Sequence, residues 1–249
     1  MGLAESRHRQ IEQMRINDLM QLVPESGNSV LDVGARDGYL SIRLAEFFDS
    51  VTALDLTEPS IDHQKIRCVA GDVTCFDFAD NTFDVVFCAE VLEHIPAPGL
   101  QKACAELIRV ARQSVIIGVP YQQDIRIGRT TCISCGRKNP PWGHANRFDT
   151  NRLQQLFSGM TVTKTSFVGV NDDATNALSC WLMDLAGNPY GTYEQDEPCL
   201  YCYAKLHMPP TRNLPQKILT KLACYINNLQ KPLIKPHANW IHLLFVKES

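Results

Sequence analysis

The sequence predicts an α/β fold, a doubly wound and mostly parallel sheet with helices on both faces. Three observations predict it. Five mostly apolar runs, at 29–33, 50–56, 66–72, 83–91 and 114–120, are short enough for strands. Helical patterns stand between several of them, which is the spacing of parallel crossovers. The first run ends in a glycine turn, "VLDVGARDGYL", Val30 to Leu40, and acidic residues close the runs that follow.

Taken in order, residues 1–27 form an N-terminal helical segment. Within 5–23 the apolar Ile11, Met14, Ile16, Leu19, Met20 and Val23 recur at roughly helical spacing, and Pro24 stops the pattern. The strand at 29–33 leads into a helix, Tyr39 to Phe48. "SVTALDL" (50–56) is the second strand, and "IRCVAGD" (66–72), preceded by a short polar segment, is the third. "FDVVFCAEV" (83–91) is the fourth, followed by a helix from about 99 to 112, and "SVIIGVP" (114–120) is the fifth. After Pro120 the regularity breaks, and 121–148, rich in Gly, Pro, Cys and Arg, reads as an insertion. "TNRLQQLFSG" (150–159) is a helix with Asp149 or Thr150 as N-cap and Gly159 as its stop. "TVTKTSFVGV" (161–170) is the sixth strand, 171–213 a second insertion, 214–229 a helix, and "NWIHLLFVK" (239–247) the last strand. With no internal repeat or low-complexity linker, 1–249 reads as one domain whose two insertions form a single substructure.

The composition narrows the function. A chain of 249 residues, 45% hydrophobic and 20% charged, is long enough for one sizeable core. A net charge of -3 without a basic stripe argues against nucleic acid as a partner. No apolar run reaches the roughly 20 residues of a membrane span, and the start lacks a secretory core, so a cytoplasmic protein is expected.

In an open parallel sheet, ligands collect beyond the carboxyl ends of the strands. Asp32 and the Gly34–Gly38 turn follow the first strand, Asp55 ends the second, Asp72 the third and Glu90 the fourth. An acidic residue about 20 positions after the turn suits a ribose diol, and Asp55 meets that spacing. Asp72 suits an adenine amine. Together "VLDVGARDGYL", "ALDL", "AGDV" and "FDVVFCAEVLEHI" resemble the class I S-adenosylmethionine-dependent methyltransferases over roughly residues 28–120. The resemblance implies a Rossmann-like, seven-stranded sheet whose last strand is antiparallel, a place that 239–247 fills. It also implies that Asp32, Gly34, Ala35 and Gly38 shape the methionine pocket, that Asp55 with Leu56 holds the ribose, that Asp72 with Val73 frames the adenine, and that Glu90 lines the methionine and substrate side. Arg36 departs from the family pattern, standing where many members carry glycine. A sulfonium cofactor has no phosphate to cradle, so the turn tolerates that loss better than a dinucleotide site does.

Of the ten cysteines, four come as pairs, "CISC" at Cys132 and Cys135 and "CLYC" at Cys199 and Cys202. Two such pairs suggest a tetrahedral zinc site with four cysteine ligands, and four thiolates leave no open position, so the zinc would be structural. It would tie the two insertions together as zinc knuckles after strands five and six, with His144 a substitute ligand.

Methyl transfer from a sulfonium is mostly alignment, helped by a general base when the acceptor is a hydroxyl. Glu90, Glu93, His94 and His144 are candidates for that role; Arg147, Arg126 and Arg129 are candidates for an anionic acceptor. The expected activity is methyl transfer to an oxygen or nitrogen of a small acceptor, with "CISCG…PPWGHANRFD" pointing toward a saccharide or lipid-linked metabolite. The rival readings are a protein or RNA methyltransferase that uses the zinc module for recognition, and a non-catalytic scaffold.

Overall fold

In the computed structural model residues 10–248 are described, so the predicted helical residues 5–9 lie outside them. The strands are β1 (Gly27–Val33), β2 (Phe48–Asp55), β3 (Ile66–Ala70), β4 (Phe83–Ala89), β5 (Ala111–Pro120), the short β6 (Thr130–Thr131) and β7 (Lys138–Asn139), β8 (Met160–Val168) and β9 (Trp240–Lys247). The α-helices among the described residues are α1 (Gln10–Met20), α2 (Tyr39–Leu44), α3 (Ala97–Val110), α4 (Thr150–Leu156), α5 (Ala177–Leu185) and α6 (Leu214–Gln230).

Seven strands make one sheet in the order β3-β2-β1-β4-β5-β9-β8, and β6 and β7 pair separately. From β3 through β5 every pairing is parallel, with Val30 opposite both Val51 and Val85. Strand β9 alone runs against its neighbours, pairing Gly118 with His242 on one side and Phe167 with Ile241 on the other. The order places β1 and β4 at the centre. All seven residues of β4 are buried, as a strand covered on both faces requires.

Alternation along β1 splits the core in two. Leu31 and Val33 join Leu107, Phe148, Leu243 and Phe245 on one face of the sheet. Val30 joins Ile16, Leu19, Phe48 and Phe87 on the other. Helix α3 serves the first face with Leu100, Ala103, Cys104, Leu107 and Val110, a helical repeat of apolar positions. Helix α1 serves the second. The predicted helix from Tyr39 to Phe48 stops at Leu44, because the chain from Phe48 already pairs with Gly27 as β2.

The chain divides into two compact units. The first holds the sheet and is built from the chain up to Tyr121, Phe148–Gly169 and the chain from Ala238 onward. The second is built from Gln122–Arg147 and Val170–His237. The sequence reading ends its second insertion at 213, whereas this unit continues to His237 and takes in α6. The reason is the buried face of α6: Thr220 and Ala223 turn inward, and the Ser179 hydroxyl of α5 donates to the Ala223 carbonyl at 3.0 Å. Helix α5, which the sequence reading leaves irregular, is capped by Asn176, whose side chain accepts from the Ser179 N–H. Asn171 and His237 close the unit's base by exchanging backbone hydrogen bonds at 2.7 and 2.8 Å.

Candidate functional site

The turn after β1 is built for left-handed backbone. Gly34 and Gly38 both take φ of 80°, and Arg36 between them takes 49°. A Cβ on Gly34 would stand 2.4 Å from Val91 Cγ2, and one on Gly38 would stand 2.4 Å from Ile61 Cδ1, so both positions need glycine twice over. The N–H groups of Gly34 and Ala35 donate to the Leu54 carbonyl at 2.8 and 3.1 Å, which fastens the turn to the end of β2. Arg36 carries a side chain where the backbone favours none. Arg36→Gly is therefore expected to raise stability by about 0.5–1 kcal/mol, read as a higher denaturation midpoint; an unmoved midpoint would mean that the turn holds no strain.

The Arg36 N–H reaches the next acidic residue, donating to Asp55 Oδ2 at 2.9 Å, while Oδ1 accepts from the Leu56 N–H at 2.7 Å. Asp55 is half-buried at the strand end, and Leu56 beside it stands 76% exposed. The Gly71 N–H donates to the Asp55 carbonyl at 2.8 Å, which brings the end of β3 alongside. There Asp72 lies at the surface with Oδ1 held by the N–H and hydroxyl of Thr74, at 2.7 and 2.8 Å, above the buried Val73. The turn, Asp55, Leu56 and Asp72 are thus adjoining parts of one rim along the carboxyl ends of β1, β2 and β3.

Asp32 lies beneath that rim. It is buried and accepts from the Ser41 hydroxyl at 2.5 Å, tying β1 to α2. Burial, opposed by the Ser41 bond and helped by the Asp55 charge, pushes its carboxyl from an ordinary 3.8 up to about 6. A carboxyl with a raised folded pKa binds its proton more tightly in the native state. Its stabilising share is therefore complete below 3.8 and is lost as pH rises through about 6. Asp32→Asn is expected to flatten the fall in unfolding free energy across that window by up to about 3 kcal/mol, measured by denaturant melts at a series of pH values. An unchanged slope would mean that Asp32 ionises normally in the fold.

At the end of β4, Glu90 also takes a left-handed φ, 58°, while its N–H donates to the Gly118 carbonyl at 2.9 Å. Trp240 Nε1 donates to Glu90 Oε2 at 3.3 Å, and Arg15 Nη1 lies 3.7 Å from Oε1. Burial raises the Glu90 carboxyl against the pull of Arg15 and Trp240. Neither Arg15 nor Trp240 features among the sequence-predicted site residues. The available signal was an arginine inside the apolar face of α1, beside Ile16 and Leu19. Glu93 is wholly buried, with no hydrogen-bond partner for either oxygen, and burial followed by the Glu90 charge raises it well above the carboxylate range. His94 is held down at about 4 by burial and the Arg36 charge, so it is neutral at pH 7.

The second unit carries the four paired cysteines. Cys132 Sγ lies 3.6 Å from Cys202 Sγ and Cys135 Sγ 3.6 Å from Cys199 Sγ, with all four sulfurs within 4.8 Å of one another. These spacings are far too long for disulfides, and they match the edge of about 3.8 Å of a tetrahedron with metal–sulfur bonds of about 2.3 Å. The two turns repeat one hydrogen-bond pattern. Gly136 N–H donates to the Cys132 carbonyl at 2.8 Å and Cys132 N–H to that of Arg137 at 2.9 Å; Tyr203 and Cys199 N–H donate likewise to Cys199 and Ala204, both at 2.9 Å. Gly136 and Tyr203 both take positive φ, 71° and 58°. Burial works against the Cys199 thiolate, yet the amides of Tyr201 and Cys202 and the neighbouring sulfurs take it down to about 6.

His144 also belongs to the second unit, buried, with Nδ1 2.6 Å from Gln123 Oε1. It lines a cavity of about 650 Å³ with Arg129, Arg137, Lys138 and Tyr201. Of the arginines singled out in the sequence, Arg126 is engaged by Asp124 at 2.8 Å and Arg129 by Asp184 at 3.3 Å. Asp149 caps α4, accepting from the Arg152 N–H at 2.8 Å.

Residues 30–114 match the family profile described as a methyltransferase domain. The match spans about a third of the chain, from β1 to the middle of β5. The ubiquinone biosynthesis O-methyltransferase of Albidiferax ferrireducens is 30% identical over 112 residues, 40% of this chain and 44% of that protein. The protein of the same name from Pseudomonas paraeruginosa is 35% identical over 114 residues, 41% of this chain and 49% of its own. The chain thus spans less than half the length of these curated relatives. Among solved structures, a Bacillus halodurans protein superposes with a TM-score of 0.59 at 15% identity, covering 94% of this chain and 99% of its own. The N-methyltransferase NodS of Bradyrhizobium japonicum, in complex with S-adenosylhomocysteine, superposes at 0.51 and 17% identity over 66% of this chain and 82% of its own. The [4+2]-cyclase SpnF does so at 0.57 and 13% identity, over 97% and 84%. At such identities the likeness is one of fold.

Proposed function

We propose that the chain moves a methyl group from S-adenosylmethionine to an oxygen or nitrogen of a small acceptor. The observation that carries this reading is the rim of the methyltransferase domain, where Gly34, Gly38, Asp55 and Asp72 stand on successive strand ends as a nucleoside-bearing cofactor needs them. The cofactor, when bound, supplies an electrophilic methyl on a sulfonium. Gly34, followed by Ala35, presents a turn with no side chain toward Val91, Asp55 offers carboxylate lone pairs to the ribose diol with Leu56 beside them, and Asp72 with Val73 frames the adenine. Glu90, anchored by Trp240 and Arg15, lines the methionine end. A neutral His94 accepts a hydrogen bond from an acceptor hydroxyl and orients it, a role that suits it better than full proton removal at pH 7. The name shared by the curated relatives favours oxygen as the acceptor atom.

The four cysteines fit zinc, held as a closed structural site. Zinc would fix the turns that carry Arg137, Lys138 and Tyr201 into the cavity of the second unit, whose volume suits a small organic molecule. A saccharide or lipid-linked metabolite remains the acceptor class that the sequence favours.

Calorimetric titration of the full chain with S-adenosylhomocysteine, with zinc quantified on the same sample, tests the proposal. Micromolar binding and about one zinc per chain are expected; absence of binding would sink the methyltransferase reading. His144→Ala is expected to slow turnover about tenfold or more while leaving cofactor affinity unchanged; normal turnover would make His144 a structural partner of Gln123 only.

A further inference from the structure

The second unit shows solvent a large apolar face. Along α6, Leu214, Ile218, Leu222, Tyr225 and Leu229 recur at steps of four, four, three and four residues, which is one face of a helix. Every one of them is exposed, from 44% at Leu222 to 71% at Leu214. The opposite face, with Thr220 and Ala223, is the one that packs inward. Helix α5 repeats the arrangement: Leu178, Trp181 and Leu185, at i, i+3 and i+7, are 51%, 57% and 50% exposed. Two packed helices that both turn apolar residues outward are not completing their own core. Exposed apolar stripes of this kind mark an interaction surface.

The charge along the α6 part of the face selects the occupant, since Asp184, the acidic residue of α5, is paired with Arg129. From Pro198 to Lys247 the sequence has no Asp or Glu, while Lys217 and Lys221 border the stripe on α6 and Lys231 and Lys235 follow the helix. All four lysines are exposed. A symmetric contact with a second copy would bring two equally lysine-rich patches together. An anionic lipid surface instead takes the apolar stripe into its headgroup boundary and pairs the lysines with phosphates. Among the described residues no helix is long and apolar enough to cross a membrane, so α6 would lie in the interface plane.

We propose that the outer face of α5 and α6 docks the protein on an anionic membrane surface. The inference stands apart from the methyl-transfer reading, since lipid binding needs neither cofactor nor turnover. The test is flotation of the full chain with phosphatidylcholine vesicles, with and without phosphatidylglycerol. The protein is expected to float with the anionic vesicles only, and less so as salt is raised. Lys217→Gln with Lys221→Gln is expected to weaken that binding about tenfold. Ile218→Asp with Leu229→Asp is expected to abolish it with an unchanged melting transition, both positions being exposed. No flotation with either vesicle overturns the proposal, as does equal flotation with both. A dimer that the aspartate variant splits while neither form floats assigns the face to a second copy instead.

Discussion

If the four cysteines hold zinc as proposed, serine in place of Cys132 is expected to remove the metal and unfold the second unit together. One small buried cluster there consists of Cys132, Tyr193, Cys199 and Leu206, so two of its four buried members belong to the proposed zinc site. Without a metal, too little apolar surface remains for a loop-rich unit to hold its shape. Structural zinc is worth on the order of 10 kcal/mol in such sites, far more than this core supplies. The measurement is zinc content alongside hydrogen exchange: protection should collapse in 122–147 and 170–237 while the sheet keeps its own. A metal-free protein with undiminished protection in those segments would end the zinc assignment.

Alanine in place of Asp55 is expected to weaken S-adenosylhomocysteine binding by about tenfold or more, because charge-assisted hydrogen bonds to a ribose are lost. Part of that loss will come through the turn. The Asp55 carboxylate holds the Arg36 and Leu56 N–H groups, so its removal also frees the loop that carries Gly34 and Gly38. Asp55→Asn separates the two contributions, since its remaining carbonyl oxygen keeps one acceptor for the turn. Calorimetry on both variants decides: unchanged affinity in Asp55→Ala would remove the ribose role.

The centre of the sheet was legible because its strands are buried on both faces, unlike the edge strands β3 and β8. A run such as Phe83–Ala89 has no polar alternation to confuse it with a surface strand. Its acidic strand ends were legible for the same reason, each standing where an apolar run abruptly stops. Helix α5 was hidden by its composition. With Leu178, Trp181 and Leu185 outward and Cys180 and Leu182 inward, it has no polar face, and the helical period that reveals α3 never shows. Its Asn176 cap was visible but too common a signal by itself. The place of α6 depended on Ser179 meeting Ala223, 44 positions away, which no local pattern encodes. Glu93 presents the opposite case. Nothing in "EVLEHI" separates one glutamate from the other, and only the fold buries Glu93 while giving Glu90 its partners.

Strand β9 lies between β5 and β8 yet follows them both in sequence, with most of the second unit intervening after β8. During synthesis the ribosome therefore releases every other strand of the sheet, and both cysteine turns, before the one that joins β8 to the rest. Until then β5 and β8 each expose an unpaired edge, and a nascent chain in that condition is prone to pair with its neighbours. Closure waits on a pairing of long sequence separation, Pro120 with Trp240, a kind of contact that forms slowly. Chaperone dependence and misassembly should accordingly trace to delay at this last insertion, and early zinc capture, which brings 132 and 202 together, would shorten the loop that β9 has to close.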